Sequence, residues 1–183
     1  TSDFKSPGDS VYLVGQTHQE LGASEIAFML RDEGHGGIGG RVPRIDTERN
    51  ITAYRALSDA MSRGLVASAH DCSDGGMAVA LAESCFGSDS GASIDAAPLW
   101  SDDDTLDEWG ALFGESLGRI LVSVREGGCE AFEKAMAGIT CHRLGKVTEG
   151  DAITVSRGEE RLLTASMGKL REAWSGALPG GAR

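Results

Sequence analysis

Apolar positions along this chain follow two rhythms, and each predicts a different element. Residues 10–15 read Ser-Val-Tyr-Leu-Val-Gly, an apolar run between a turn at Pro7-Gly8-Asp9 and a glycine, which predicts a buried strand. Glu25 to Arg31 carries helix-favouring residues with Ile26, Met29 and Leu30 on one side and Ser24 placed to cap it, so a short helix is expected. Residues 34–43 are glycine-rich and end at Pro43, which restricts Val42 away from helix; they read as a flexible loop, with Gly36 to Gly40 either a mobile lid or disordered. Asp46 then offers an N-cap. Ile51, Tyr54, Leu57, Met61 and Leu65 follow at intervals of three and four, the period of a helix packed on a core through that stripe, with Gly64 to end it.

The next unit reads strand, tight turn, helix: residues 65–69, then His70 to Gly76, then Met77 to Glu83. Residues 87–91 form a polar loop and residues 92–95 a short strand. Residues 101–108 are an acidic stretch that reads as solvated surface and leads into a helical turn around Trp109 and Leu112. The clearest strand is residues 118–124, β-branched and apolar, followed by a helix through Phe132 and Met136. Further strands are expected at 142–148, 152–156 and 161–165, the last two joined by a hairpin at Arg157-Gly158-Glu159. A final helix from Met167 to Leu178 carries Leu170, Trp174 and Leu178 on one face and stops at Pro179-Gly180-Gly181, leaving 179–183 as a flexible tail. This order mixes βα units with a run of strands. It predicts one α+β domain over residues 1–178, a mixed sheet flanked by helices, in preference to a doubly wound sheet.

Composition narrows the partners. The chain has 183 residues, 40% hydrophobic and 25% charged, enough for one core. Seventeen Lys and Arg against 28 Asp and Glu leave a net charge of −11, which repels a phosphate backbone and excludes nucleic acid as an expected partner. No apolar run approaches the roughly 20 residues needed to cross a bilayer, and the opening TSDFKSPGDS lacks a basic start and an apolar signal core, so no membrane association and a cytoplasmic location are expected. Cys72, Cys85, Cys129 and Cys141 show no CxxC spacing and no secretory context, and read as small apolar fillers, not zinc ligands or disulfides. The 26 glycines are clustered, as in GHGGIGG and SDGG, which marks turns and close backbone approaches.

Chemistry concentrates at His70-Asp71-Cys72-Ser73-Asp74-Gly75-Gly76, where carboxylates and a hydroxyl crowd the end of a strand as a helix begins. The exposed N–H groups and positive dipole of a helix start receive a phosphate, Gly75 and Gly76 let the backbone approach it, and an adjacent Asp can hold Mg²⁺ together with phosphate oxygens and water. The same residues also read as an N-cap, Ser73 or Asp74, on a tight turn. His70 reads as a structural hydrogen-bonding group. Neither a GxSxG elbow nor a GxxxxGK phosphate loop is present. A second cluster, Phe113-Gly114-Glu115-Ser116-Leu117-Gly118-Arg119, puts a carboxylate, a hydroxyl and a guanidinium in one turn, with Arg119 pairing either with Glu115 or with a ligand phosphate. Leu21-Gly22-Ala23-Ser24-Glu25 is a third glycine turn opening a helix.

The segments HDCSDGGMAVALAES, FGESLGRILVSV and PGDSVYLVGQTHQELGASEI, with LGKVTEGDAITV and LREAWSGALP behind them, run in order along most of the chain. Together they resemble the second copy of the C-terminal domain of the phosphoribosylformylglycinamidine synthase family, within the wider aminoimidazole ribonucleotide synthetase superfamily. The resemblance implies that superfamily's α+β, partly ferredoxin-like domain. It also implies an ATP-consuming, glutamine-dependent step of purine biosynthesis in which an amide oxygen is phosphorylated and displaced by ammonia. The implied partners are the N-terminal domains of the same chain, a glutaminase domain or subunit, and ATP or ADP with Mg²⁺; the chain then looks like part of a longer polypeptide.

By that resemblance Asp71 stands where the family's HDxSDGG motif has a magnesium ligand, and Ser73 where it has a nucleotide contact, with Asp74, Gly75 and Gly76 completing the turn. Glu115 and Ser116 stand where the first copy of the domain contacts substrate, although Leu117 replaces the Gln of that first-copy pattern. Catalytic residues are expected outside these positions, and the isolated domain is expected to be inactive. Two alternatives remain open: a catalytically silent scaffold, and the equivalent domain of another superfamily member of the selenophosphate synthetase or thiamine-phosphate kinase type.

Overall fold

Alternation along β1 (Ser10–Val14) sends Val11 and Leu13 to one face and Tyr12 and Val14 to the other, and all five residues are buried. A strand buried on both faces needs neighbours on both edges and a layer on each side. The computed structural model, which describes residues 1–34, 39–88 and 90–176, supplies both. Among the described residues, β1 joins β2 (Ser68–Asp71), β3 (Ser90–Asp95), β4 (Ile120–Val124), β5 (Cys141–Glu149), β6 (Ala152–Arg157) and β7 (Glu160–Ser166) in a seven-stranded sheet ordered β2-β4-β1-β5-β3-β6-β7. Neighbouring strands are antiparallel except β3 and β6, which makes the sheet mixed.

The helices are α1 (Glu25–Asp32), α2 (Thr47–Ser62), α3 (Gly76–Phe86), α4 (Glu108–Phe113), α5 (Cys129–Ala135) and α6 (Met167–Gly176). On one face α3 presents Met77, Leu81 and Cys85 to Val11, Leu13, Leu121 and Ile94, with Leu112 of α4 and Met167 of α6 closing the layer. On the other, Ala53, Leu57 and Ala60 of α2 and Phe132 of α5 cover Tyr12, Val14, Val122 and Val124. The α+β architecture, a mixed sheet flanked by helices, is the one its element order predicts.

Four local expectations change. In α2 the buried positions are Asn50, Ala53, Leu57 and Ala60, while Ile51, Tyr54 and Met61 of the predicted stripe are 43%, 43% and 42% exposed. Two alanines beside Leu57 let the helix lie close to the sheet, which rotates the larger side chains outward. β2 begins at Ser68 and runs through His70 to Asp71, because its partner β4 offers pairing positions from Ser123 to Ile120; Leu65 and Val66 instead pack against the core as the chain leaves α2. The N-cap of α3 is Gly75, in the left-handed region with no side-chain cap bond, so neither Ser73 nor Asp74 caps it. The proposed lid at 36–40 falls largely outside the described residues, as do Leu178 and the tail at 179–183.

The acidic stretch is the fourth change, because two of its carboxylates are fasteners. The Asp102 and Asp103 side chains are 5% and 10% exposed. Asp102 accepts from the Thr17 N–H at 2.9 Å and lies 2.9 Å from His142 Nε2 on β5. Asp103 accepts from the Gln19 N–H at 3.1 Å, the Thr105 N–H at 2.9 Å and hydroxyl at 2.6 Å, and Arg41 Nη2 at 3.1 Å. Together they pin the segment leaving β1, whose backbone would otherwise have no strand partner there.

Phe132 is fully buried and meets Tyr12 edge to face at 5.0 Å, so Phe132→Ala is expected to cost about 3–5 kcal/mol in a urea unfolding titration. The Thr105 hydroxyl, then the Gln19 and Thr105 N–H groups, hold the Asp103 carboxyl well below the usual range. A depressed native value means that the contribution is complete above the unfolded pKa of about 4 and is lost as pH falls through the native one. The unfolding midpoint of the unmodified chain should therefore drop more steeply below about pH 5 than that of Asp103→Asn. Near neutral pH the variant should be less stable by about 1.5–3 kcal/mol.

Candidate functional site

Asp71 ends β2 with its side chain 73% exposed, and the turn that follows brings the Ser73 hydroxyl back to donate to its carboxylate. That hydroxyl, with lesser help from His70, holds the Asp71 carboxyl below its ordinary range, so the group is an anion with an open side. His70 is held from both ends, its Nδ1 2.9 Å from the Asp71 carbonyl oxygen and its Nε2 3.1 Å from Glu83, in keeping with a structural role.

The second turn, Gly114 to Arg119, closes the site from the other side. Asp71, Ser73, Asp74, Glu115 and Arg119 line one cavity of about 460 Å³, with Tyr54, Pro43 and Leu117 as its apolar wall. Tyr54 is there because α2 turns it away from the core, which sequence periodicity had assigned inward. Gly76 makes the approach of the two turns possible: it stands at φ +66°, and a Cβ on it would lie 2.4 Å from the Gly114 carbonyl oxygen.

Glu115 has a use that its sequence neighbours do not reveal. Its Oε1 accepts from the Gly75 N–H at 2.9 Å and from the Glu25 N–H at 2.9 Å, so one carboxylate serves the starts of both α3 and α1. The anion-receiving character of the Gly75-Gly76 turn is thus already expressed, toward an internal anion. A ligand phosphate would meet the Ser73 and Asp74 side of the turn, or would have to displace Glu115. Ser116 is 1% exposed and exchanges bonds with the His18 backbone, accepting from its N–H at 3.0 Å and donating to its carbonyl at 3.3 Å. It does not line the cavity.

Arg119 is also 1% exposed, and its guanidinium donates to the carbonyls of Gly114 and Ser116 and to the Thr17 hydroxyl. Burial pulls its pKa down, against the nearby Glu20, Asp102 and Glu115 carboxylates. It therefore organises its own turn in place of the direct Glu115 pair that adjacency suggested. Among the described residues no three His, Cys, Asp or Glu side chains gather round a common metal position. A cation at Asp71 would complete its shell with ligand oxygens and water, which suits Mg²⁺ better than a metal needing an all-protein cage. Removing the shared cap in Glu115→Ala is expected to cost about 1–2 kcal/mol in urea unfolding, with Glu115→Gln, which keeps an acceptor oxygen, losing less.

Residues 6–158 match the family described as AIR synthase related protein, C-terminal domain. Among solved structures, phosphoribosylformylglycinamidine synthase II from Thermotoga maritima matches with a TM-score of 0.73 and 18% identity, over 92% of this chain and 26% of that one. T. maritima PurL complexed with FGAR matches with a TM-score of 0.77 and 18% identity, over 92% and 28%. The hydrogenase maturation protein HypE from E. coli matches more loosely, with a TM-score of 0.58, 14% identity and coverage of 91% and 50%. This chain spans about a quarter of the Thermotoga chains it matches, and at these identities the likeness is one of fold. The family match runs through β1, both cavity-forming turns and the sheet as far as β6, and the chain belongs to the AIR synthase related proteins as their C-terminal domain.

Proposed function

We propose that this chain is the C-terminal domain from the second half of an ATP- and glutamine-dependent phosphoribosylformylglycinamidine synthase, and that its Asp71 cavity contributes to a Mg²⁺-nucleotide site. The observation that carries this reading is the convergence of Asp71, Ser73, Asp74 and Glu115 on one cavity in a chain of this family. Support comes also from the company it keeps: T. maritima PurL structures include complexes with ATP, AMPPCP and ADP, and one is described as PurLQS. On this reading the domain works with N-terminal domains of the same polypeptide and a glutaminase. No described helix is long and apolar enough to cross a membrane, and the reading places the enzyme in the cytoplasm.

Within the site, the Ser73 hydroxyl orients the Asp71 carboxylate, which as an ordinary exposed Asp is already ionised near neutral pH, toward an incoming cation. Mg²⁺, when bound, would neutralise polyphosphate charge. Asp74 and the exposed edge of the turn border the cavity where the phosphates would lie, and Tyr54 and Pro43 offer an apolar surface for the rest of the nucleotide. Glu115 and Ser116 act by shaping the turn, with substrate contact left to Glu115 alone if it swings from the helix starts.

The Glu115 bond to Gly75 favours a second reading, a catalytically silent scaffold, because a carboxylate already occupies a helix start that would receive phosphate. Asp71→Asn in the complete enzyme separates the two. A synthase site should lose Mg²⁺-dependent ATP retention by about tenfold or more with assembly intact, as calorimetry and gel filtration read it. Unchanged nucleotide binding would remove the metal role and leave the scaffold.

A further inference from the structure

A second hollow, of about 250 Å³, shares only Leu117 with the walls of the Asp71 cavity. In a chain of net charge −11 it gathers three guanidinium groups, Arg41, Arg44 and Arg49. Two of them are matched: Arg41 lies 3.1 Å from Asp103, and Arg49 lies 3.6 Å from Asp46. The Arg44 side chain has no ion-pair or hydrogen-bond partner among the described residues; only its backbone N–H is engaged, at 3.3 Å from Glu20 Oε1.

Glu20 is the opposite anomaly. It is 6% exposed and lines the same hollow, yet its Oε2 has no hydrogen-bond donor. A buried carboxylate oxygen without a donor is uncommon in folded proteins and points to a group that the chain itself does not supply. Arg119, buried beyond it, already offsets part of its charge, so what Oε2 lacks is a hydrogen-bond donor more than a second full cation.

The segment carrying the arginines is held over Glu20 by its backbone. Gly22 donates to the Arg41 carbonyl at 2.9 Å, and a Cβ on Gly22 would lie 2.5 Å from the Gly40 carbonyl oxygen, so only glycine admits the segment this closely. With Gln16, His18 and the buried Asn50 on the remaining wall, and the Asp46 carboxylate beside Arg49, the hollow sets three guanidinium groups against two carboxylates, one of them the buried Glu20.

We propose that this hollow is a binding site for a small phosphomonoester bearing a free hydroxyl, its phosphate held by Arg44 with Arg41 and Arg49, and its hydroxyl donating to Glu20 Oε2. Guanidinium forks suit phosphate oxygens, and the volume lies at the small end of ligand pockets, which favours a compact ligand. The site is independent of Mg²⁺ and of the nucleotide reading above.

Glycerol 3-phosphate titrated into the chain in chelator-treated buffer, followed by calorimetry and amide chemical shifts, tests it, with inorganic phosphate, glycerol and L-serine as comparators. Saturable binding of glycerol 3-phosphate about tenfold tighter than inorganic phosphate is expected. Arg44→Ala, at an exposed position, should weaken both by about tenfold with thermal unfolding unchanged. Glu20→Met, which removes the acceptor, should erase the preference for the ester over inorganic phosphate; if that variant fails to fold, n-propyl phosphate, which lacks the hydroxyl, is measured on the unmodified chain, and binding as tight as that of glycerol 3-phosphate would overturn the hydroxyl contact. Equal affinities in the unmodified chain, or indifference to Arg44→Ala, would mean an adventitious ion only and overturn the proposal. Tighter binding of L-serine would overturn the ligand class in favour of a zwitterion.

Discussion

A guanidinium removed from water organises the edge of this domain that carries both hollows. Arg119 has three acceptors, two carbonyls of its own turn and the Thr17 hydroxyl on the segment leaving β1. Burying such a group is costly unless its donors are matched, so the turn from Gly114 to Arg119 and the exit of β1 have to keep a fixed relation. Once they do, Glu115 is directed at the starts of α1 and α3, Ser116 at the His18 backbone, and Leu117 stands between two cavities. One buried charge thereby couples a strand end, two helix starts and both hollows.

The rest of the molecule makes that arrangement rigid. β1 and β4 are interior strands of the sheet with helices on both faces, so the turns at their ends extend from well-packed strands. Asp102 and Asp103 then fasten the β1 exit to the turn before α4 and, through His142, to β5. Polar groups that would be exposed in a looser fold are spent on backbone N–H groups. This is why an acidic surface stretch contains two nearly buried carboxylates.

The two hollows differ in electrostatic character. The Asp71 cavity presents carboxylates and a hydroxyl beside an apolar wall, the surface on which the proposed Mg²⁺-nucleotide site rests. The hollow under residues 41–49 presents arginines around the buried Glu20 carboxylate. The segment carrying the arginines is positioned through its backbone, the Arg41 carbonyl accepting from the Gly22 N–H and the Arg44 N–H donating to the Glu20 carboxylate.

Local patterns in the sequence determined most elements, because strand and helix periods, glycine turns and the caps at Ser24 and Asp46 depend on near neighbours. They also singled out Asp71, Ser73 and Glu115, since the crowding of those residue types at turns is a local property. Tertiary structure decided what local patterns leave open. Which face of α2 is buried depends on how closely Ala53 and Ala60 let it approach the sheet. Where β2 begins depends on the register offered by β4. Glu115 reaches Gly75 across 40 positions and Glu25 across 90, and Glu20 meets Arg44 across 24. Such partners are chosen by the path of the chain through space, and no spacing along it encodes them.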